Sequence, residues 1–269
     1  EWKAELEQFG ESVSSLKKWV DPHVRPSPDT SYHFVAMSGD HRLAKSDLRP
    51  VVIGFGPCGI FAALLLAQMG LKPIVLERGK AVRERTQDTW ALWRKKILNP
   101  ESNVQFGEGG AGTFSDGKLW SQVKDPKFYG RKVLHEFVKA GAPEEILYVS
   151  KPHIGTFRLV GMVEKIRQEI INLGGEVRFG QKVIGFDIDN HVLQGLHMES
   201  GEYLRADHVV LALGHSARDT FEKLLDAGVY MEAKPFSVGF RIEHPQSLID
   251  RARLGPHAGH PLIGAADYK

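Results

Sequence analysis

The sequence predicts an α/β fold that combines a parallel sheet with an antiparallel β-meander. The apolar run 51–53 is followed by a glycine turn, a buried helix and a second apolar run at 73–76, which is the pattern of a βαβ unit. Between 183 and 204, short segments alternate apolar and polar residues, as an antiparallel meander does. The continuously apolar run 209–213 is typical of a buried parallel strand.

The turn of the βαβ unit carries three glycines in the spacing Gly-x-Gly-x-x-Gly. We expect Gly54 to permit the sharp bend, Gly56 to let a diphosphate approach the backbone, and Gly59 to let helix and strand pack closely. The helix that starts here points free N–H groups and a partial positive charge at the phosphates. Glycine triplets also occur in ordinary turns, so the prediction depends on the complete βαβ setting.

The second strand of the unit ends at Glu77. This residue lies 18 positions after Gly59, close to the distance expected for an acid that hydrogen-bonds a ribose diol. The alternative is a glutamate that simply ends a strand in water. A carboxylate here disfavours a 2′-phosphate on the ribose, but Arg78 follows directly and leaves that choice open.

Helical patterns account for most of the remaining sequence. Residues 2–20 place apolar side chains at spacings of three and four and predict an amphipathic helix, followed by a proline-containing linker. Further helices are predicted at 81–96, 129–140, 160–173 and 216–227.

A glycine-rich loop over 105–119 separates the first two of those helices. Five glycines between positions 107 and 117 are unfavourable for a helix or strand because of their backbone entropy. Such a loop suits close approach to a flat or phosphorylated ligand. A flexible lid or plain linker is the alternative, and the loop alone leaves the two open.

Composition is that of an ordinary globular protein. The 269 residues carry a net charge of +2, are 42% hydrophobic and 25% charged, and give no reason to propose nucleic acid or a membrane surface as a partner. The single cysteine, Cys58, allows no disulfide within the chain and suits a reducing, cytoplasmic compartment. We expect it to be a small buried filler. Because the chain starts at Glu1, we also expect a trimmed segment.

The order of these elements resembles the glutathione-reductase-like flavoproteins, which contain two dinucleotide-binding domains. The long pattern of that superfamily is matched by Gly54, Gly56, Gly59, Ala63, Gly70 and Glu77. Its later Ala-Thr-Gly motif is Ala212-Leu213-Gly214 here, so any hydroxyl contact of the threonine is lost. The resemblance implies a Rossmann-like FAD-binding fold of the glutathione-reductase type, truncated at its C-terminus.

The sequence is similar, more closely, to the bacterial FAD-dependent dehydrogenases of uncharacterised substrate, the NAD(FAD)-utilising group. The runs that carry this similarity, within residues 50–269, are 77–79, 103–119, 151–156, 214–220 and 241–245. Members of that group are about twice as long, and their C-terminal half completes the flavin site and holds a cysteine-rich stretch. The similarity therefore implies three parts: an N-terminal helix and linker (1–48), an FAD-binding domain (49–232), and the start of a substrate-type domain (233–269).

The resemblance also assigns site residues for FAD. The pyrophosphate would contact Gly54, Gly56, Pro57, Cys58 and Gly59, and the ribose end would contact Glu77, Arg78 and Gly79. The backbone of Val183 would meet the adenine. Arg83 and Arg85 would reach phosphate or ribityl oxygens, unless they form a solvated helix face. The ribityl chain and flavin ring would lie along Gly109, Gly110, Ala111, Gly112, Thr113, Phe114 and Ser115, with Ala212, Leu213 and Gly214 at the strand end.

No catalytic residue is identified by the sequence. His153, His215 and His244 are candidate proton donors, with a structural role as the alternative for each. His257 and His260 lack neighbouring acidic or thiol ligands, so no metal site is predicted. The expected function is an FAD-dependent oxidoreductase acting on a small molecule, with NAD(P)H as a candidate electron donor.

Two rival functions share parts of this pattern. A flavin-free binding or chaperone protein would use the same fold without redox chemistry. An NAD-dependent dehydrogenase would use the same glycine turn, but a β-meander between the two dinucleotide-type segments argues against it. The sequence makes no prediction of oligomeric state.

Overall fold

The computed structural model describes residues 28–40, 48–121, 123–236, 238–240 and 242–266. The predicted helix over 2–20 lies outside the described residues. The chain divides after Val229 into two compact units.

A four-stranded parallel sheet forms the centre of the first unit. Its strands are β1 (Val51–Ile53), β2 (Ile74–Glu77), β3 (Glu176–Phe179) and β7 (Val209–Leu211), in the order β3-β2-β1-β7. The apolar runs of β1 and β2 become buried strands, and Val51, Val52 and Val75 are completely buried. The expectation that 209–213 forms a buried strand is wrong, because β7 is only partly covered and Leu211 is 44% exposed. The predicted parallel sheet is confirmed, although β7 ends two residues earlier than expected.

Two helices pack on one face of this sheet. The helices described in the first unit are α1 (Pro57–Gln68), α2 (Val82–Lys95), α3 (Tyr129–Lys139), α4 (Thr156–Asn172) and α5 (Arg218–Asp226). Helices α1 and α4 pack against the sheet through a core that includes Phe55, Leu64, Val75, Ile166 and Ile170. Helix α4 starts four residues before the predicted position.

The predicted β-meander covers the other face. It consists of β4 (Val183–Asp189), β5 (Val192–Met198) and β6 (Tyr203–Arg205), paired antiparallel in that order. Asn190 and His191 both have positive φ, as a tight two-residue hairpin turn requires. Side chains of β5 pack on those of β1 and β2 that point away from α1. The predicted α/β fold class is therefore confirmed.

The second unit, from Tyr230 onward, contains α6 (Gln246–Leu254) followed by a 3-10 turn at Gly255–His257. None of the helices within the described ranges has the length and apolarity that a membrane span needs.

Candidate functional site

A cavity of about 310 Å³ opens at the carboxyl ends of β1, β2 and β7. From β1 the chain builds β2 and β3 on one side and later returns to β7 on the other, so the winding of the sheet reverses between β1 and β7. Open α/β sheets bind ligands in the crevice at such a switch point. The volume lies at the lower end of the range for ligand pockets, about 300–1,000 Å³.

Two of the three glycines in the turn after β1 are required by the fold itself. Gly54 has a φ of +99°, and a Cβ there would lie 2.4 Å from the carbonyl oxygen of Ala212. A Cβ at Gly59 would lie 1.9 Å from the carbonyl oxygen of Gly54, so α1 packs directly on the turn. At Gly56, by contrast, the nearest atom to a Cβ is the Cα of Gly110, 3.6 Å away. Gly56 lines the cavity, and its predicted contact with a diphosphate supplies a reason for glycine that the fold does not.

Helix α1 starts at the cavity wall. Its first residue is Pro57, and no side chain of the described residues caps this end. An uncapped helix N-terminus presents unpaired N–H groups and partial positive charge, which favour an anion. Cys58 is exposed and lines the cavity, so the expectation of a buried filler is wrong: in the first turn of α1 its side chain faces the cavity rather than the core.

Glu77 holds three backbone segments together at the cavity. It is 4% exposed, and one of its oxygens, Oε2, accepts a hydrogen bond from the Phe55 N–H at 2.7 Å. Oε1 accepts from the N–H groups of Gly79 at 2.8 Å and Gly107 at 3.1 Å. A carboxylate offers about four acceptor positions. Glu77 therefore keeps about one acceptor position unused while fixing the glycine turn and the glycine-rich loop.

Arg85 organises the glycine-rich loop from inside. Its side chain is fully buried, and its guanidinium donates to the carbonyl oxygens of Asn103, Val104, Glu108 and Gly110 at 2.6–2.8 Å. Burial lowers the pKa of Arg85 to about 10, which leaves it charged at neutral pH. The prediction that Arg85 contacts phosphate or ribityl oxygens is wrong, because its guanidinium already donates to four carbonyl groups of the loop. Arg83 points to Glu164 instead.

A buried carboxylate completes the support of the loop. Glu108 is fully buried, and its Oε2 accepts from the Val82 N–H at 2.7 Å and from Nη1 of Arg167 at 2.8 Å. Burial raises the pKa of Glu108, while the Val82 N–H and the Arg167 charge act in the opposite direction. No pattern in the sequence indicated this role of Glu108.

The predicted flavin loop divides between the cavity and the core. Residues Ala111–Phe114 form a 3-10 turn, and Gly110 approaches Gly56 so closely that a Cβ on Gly110 would lie 3.0 Å from the Gly56 Cα. Thr113 is buried, and Phe114 lies against the Arg85 guanidinium. This segment therefore presents its first half to the cavity and uses its second half for packing.

The structure brings most of the predicted residues to one place. Those that line the cavity are Gly54, Gly56, Pro57, Cys58, Glu77, Arg78, Gly110, Ala111, Gly112, Val183, Ala212, Leu213 and Gly214. The predicted residues outside its lining are Gly59, Gly79, Arg85, Gly109, Thr113, Phe114 and Ser115. Their assignment as direct cofactor contacts stays a prediction, except for Arg85.

The lining also includes residues that were not predicted as cofactor contacts, although His215 was a candidate proton donor and Gln105, Phe106 and Gly107 belong to the predicted glycine-rich loop. They are Ile53, Phe55, Leu76, Gln105, Phe106, Gly107, Gln181, Lys182, His215, Ser216, Ala217 and Thr220. Five of them are direct neighbours of predicted residues, so extending each predicted motif by one position would have found Ile53, Phe55, Leu76, Lys182 and His215.

Of the three candidate proton donors, His215 is the one that lines the cavity, and its Nδ1 lies 3.2 Å from the Ser216 hydroxyl. His153 pairs with Lys118 in an isolated β-bridge. His244 belongs to the second unit. Within the described ranges, no group of three His, Cys, Asp or Glu side chains could hold a metal ion. Backbone donors and a spare carboxylate acceptor suit nucleotide binding more than acid–base chemistry.

Comparisons with known proteins extend this description. Residues 235–269 match the model of a family described as "FAD-dependent protein, C-terminal domain-like". The chain is 52% identical over 221 residues to an uncharacterized protein of Clostridium beijerinckii, covering 82% of this chain and 41% of that protein. It is 28% identical over 133 residues to the dual trans-enoyl reductase/FAD-dependent monooxygenase tazHJ of Aspergillus terreus, covering 48% of this chain and 18% of that protein. The chain thus spans less than half the length of these relatives.

Solved structures give weaker likenesses. THI4 of Thermovibrio ammonificans aligns with a TM-score of 0.44 and 18% identity, covering 68% of this chain and 63% of that one. The L-proline dehydrogenase of P. horikoshii aligns with a TM-score of 0.37 and 17% identity, covering 68% and 56%. Both TM-scores are below 0.5. The fold class therefore follows from the strand order of this chain's own sheet.

Proposed function

We propose that the cavity binds the ADP portion of FAD and that this chain contributes the site to an FAD-dependent oxidoreductase. The observation that carries the proposal is the position of Gly56. It lies beside the uncapped start of α1, faces a second glycine segment at Gly110, and has no structural need to be glycine. Close backbone approach by a diphosphate explains all three features.

The residues present fit this group. The N–H groups at the start of α1 would hold the pyrophosphate, and the remaining acceptor of Glu77 would take a ribose hydroxyl. The backbone of Val183, at the start of β4, would meet the adenine. A cavity near the lower size limit for ligand pockets fits part of a dinucleotide, which is why the proposal is confined to the ADP portion.

The oxidoreductase assignment is supported by the two descriptions that mention FAD: the family matched at 235–269, and the monooxygenase tazHJ. A bound flavin would supply the hydride transfer, and the protein would supply orientation and electrostatics. In this proposal the paired glycine segments exclude water from the diphosphate, and His215 is the candidate proton donor at the wall. NAD(P)H as the electron donor and a small molecule as the substrate belong to the same proposal.

Titration of the purified protein with FAD, followed by flavin fluorescence, tests the proposal. We expect saturable binding that ADP-ribose reverses by competition, because the two ligands share the ADP portion. NADH, which also contains the ADP portion, is titrated in parallel. Absence of FAD binding together with tight NADH binding would favour an NAD-dependent dehydrogenase. Binding of none of the three would favour the flavin-free binding protein.

A further inference from the structure

Two positively charged side chains lie at the Glu77 end of the cavity. Arg78 directly follows Glu77, Lys182 directly precedes Val183, and both line the cavity. Arginine and lysine at the ribose end of a nucleotide site are the usual ligands of a 2′-phosphate. The sequence leaves open whether the site accepts a 2′-phosphate. The contacts of Arg78 and Lys182 in the structure bear on that question.

Both cations are already paired with carboxylates. The Arg78 guanidinium donates from Nη1 and Nη2 to the two oxygens of Asp219 at 3.0 and 2.7 Å, and from Nε to Glu101 at 2.6 Å. Nζ of Lys182 lies 2.8 Å from Glu101, 3.3 Å from Glu199 and 3.5 Å from Asp219. The Arg78 and Lys182 side chains are only 13% and 19% exposed.

The Arg78 side chain is packed as well as paired. The ring of Phe106 stacks on the Arg78 guanidinium at 4.4 Å. Arg78 follows β2 and Asp219 lies in the first turn of α5, after β7, so their ion pair spans the end of β1. Two positive charges face three carboxylates here, and Glu77 adds a fourth. An incoming phosphate dianion would meet a net negative wall.

We propose that Asp219 and Glu101 make this site selective for a nucleotide whose ribose carries a free 2′-hydroxyl, because they occupy the cations that would otherwise hold a 2′-phosphate. The inference rests on the proposed function, since it requires an adenine nucleotide in the cavity. It adds a selectivity to that function: FAD or another nucleotide unphosphorylated at the ribose is accepted, and NADP-type nucleotides are excluded. The pKa of Asp219 is lowered to about 2, chiefly by its hydrogen bonds from Arg78, so this carboxylate is charged at neutral pH.

The test compares ADP-ribose with 2′-phospho-ADP-ribose by isothermal titration calorimetry. The unmodified protein should bind ADP-ribose at least about tenfold more tightly, the scale of one charge-assisted hydrogen bond. Asp219→Asn should reduce that preference about tenfold or more because it releases the terminal nitrogens of Arg78. Asp226→Asn removes the same charge from the exposed end of α5 and should leave the preference unchanged.

A second variant keeps the test decisive if Asp219→Asn loosens α5. Glu101→Gln releases Nε of Arg78 and Lys182 from the other side and should shift the preference in the same direction. Tight ADP-ribose binding with an unchanged preference in both variants would overturn the specificity inference alone. Equal binding of the two probes by the unmodified protein would do the same. Binding of neither probe would overturn the proposed function and the inference with it.

Discussion

At the residue scale, two buried charged side chains hold irregular backbone in place around the cavity. Glu77 accepts three backbone N–H groups, and Arg85 donates to four backbone carbonyl groups. Buried backbone groups need partners, and the loop over 103–110 is neither helix nor strand that could supply them. The two side chains therefore replace the hydrogen bonds that regular structure would have provided.

The first prediction concerns Arg85. Replacing Arg85 with Met keeps the length of the side chain but leaves buried carbonyl groups without their donors and removes one positive charge near Glu77 and Glu108. We expect the free energy of unfolding to fall by about 3–5 kcal/mol, the usual cost of removing one partner from a buried charged network. Urea-induced unfolding of the two proteins measures this loss in the free energy of unfolding.

Arg83→Met is the matched control. Arg83 lies two positions away on α2, is 73% exposed, and pairs with Glu164 at the surface. Its replacement should cost far less stability than that of Arg85, because solvent screens an exposed ion pair. Equal losses for the two variants would show that Arg85 does not support the loop.

Glu77 and Arg85 also show which parts of the site could be predicted from the sequence. Glu77 was found from its distance to the glycine turn, and it does line the cavity. Arg85 was assigned to a ligand because a cation near a phosphate site invites that interpretation. The correct signal was helical periodicity: Val82, Arg85 and Thr89 form the buried face of α2 at spacings of three and four. The carbonyl partners of Arg85 come from loop geometry, which no local pattern specifies.

At the element scale, most strands and helices could be predicted from the sequence, because buried parallel strands are continuously apolar and the meander strands alternate apolar and polar residues. The contacts between these elements could not be predicted from the sequence. Arg78 and Asp219 are 141 positions apart, and their ion pair exists because β2 and β7 flank β1 in the sheet. Sheet order emerges from packing, so the sequence left the role of Arg78 open.

The second prediction follows from this ion pair. The pKa of Asp219 is about 2 in the folded protein, against an ordinary value of 3.8, because Arg78 favours the charged form. A lowered pKa stabilises the folded state above about pH 4, and that contribution is lost as the pH falls toward 2. Asp219→Asn should therefore cost stability at pH 7 and progressively less between pH 4 and pH 2.

The expected loss at pH 7 is about 1 kcal/mol or less, because the Asp219 side chain is 46% exposed and solvent screens the pair. Denaturant-induced unfolding at pH 7, 4 and 2.5 measures it, with Asp226→Asn as the control for loss of a charge from the same helix. A difference between the unmodified protein and Asp219→Asn that grows as the pH falls would contradict the ion-pair account.

At the scale of the whole molecule, the two units differ in how they are built. The first carries the sheet, the two apolar clusters and the cavity, whereas Ile249 is the buried hydrophobic residue of the described part of the second. Phe236, Phe240 and Leu262 are 84%, 101% and 90% exposed. Nucleotide binding is therefore expected to depend on the first unit.

The third prediction tests this division. The described residues between 230 and 245 form neither helix nor strand, and Phe236 and Phe240 among them are 84% and 101% exposed. Chymotrypsin should cut after Phe236 or Phe240 early, because exposed irregular segments are preferred sites of cleavage, and the larger product should still bind ADP-ribose. Mass spectrometry of a time course identifies the cut. Degradation of the parallel sheet before this segment is cleaved, or loss of binding upon that cut, would contradict the division.

Gly56 provides the most direct test of the central claim, that the paired glycine segments form a diphosphate site. Gly56→Ala adds a methyl group whose nearest neighbour lies at 3.6 Å, so the fold should accept it, while the methyl group blocks approach of a diphosphate to the backbone. Gly161→Ala, in α4 with open space around it, is the control. FAD titration should show affinity reduced about tenfold or more in Gly56→Ala, the scale of one lost charge-assisted hydrogen bond, with unfolding temperature retained and no change in affinity for the control. Unchanged FAD affinity in Gly56→Ala would contradict the account.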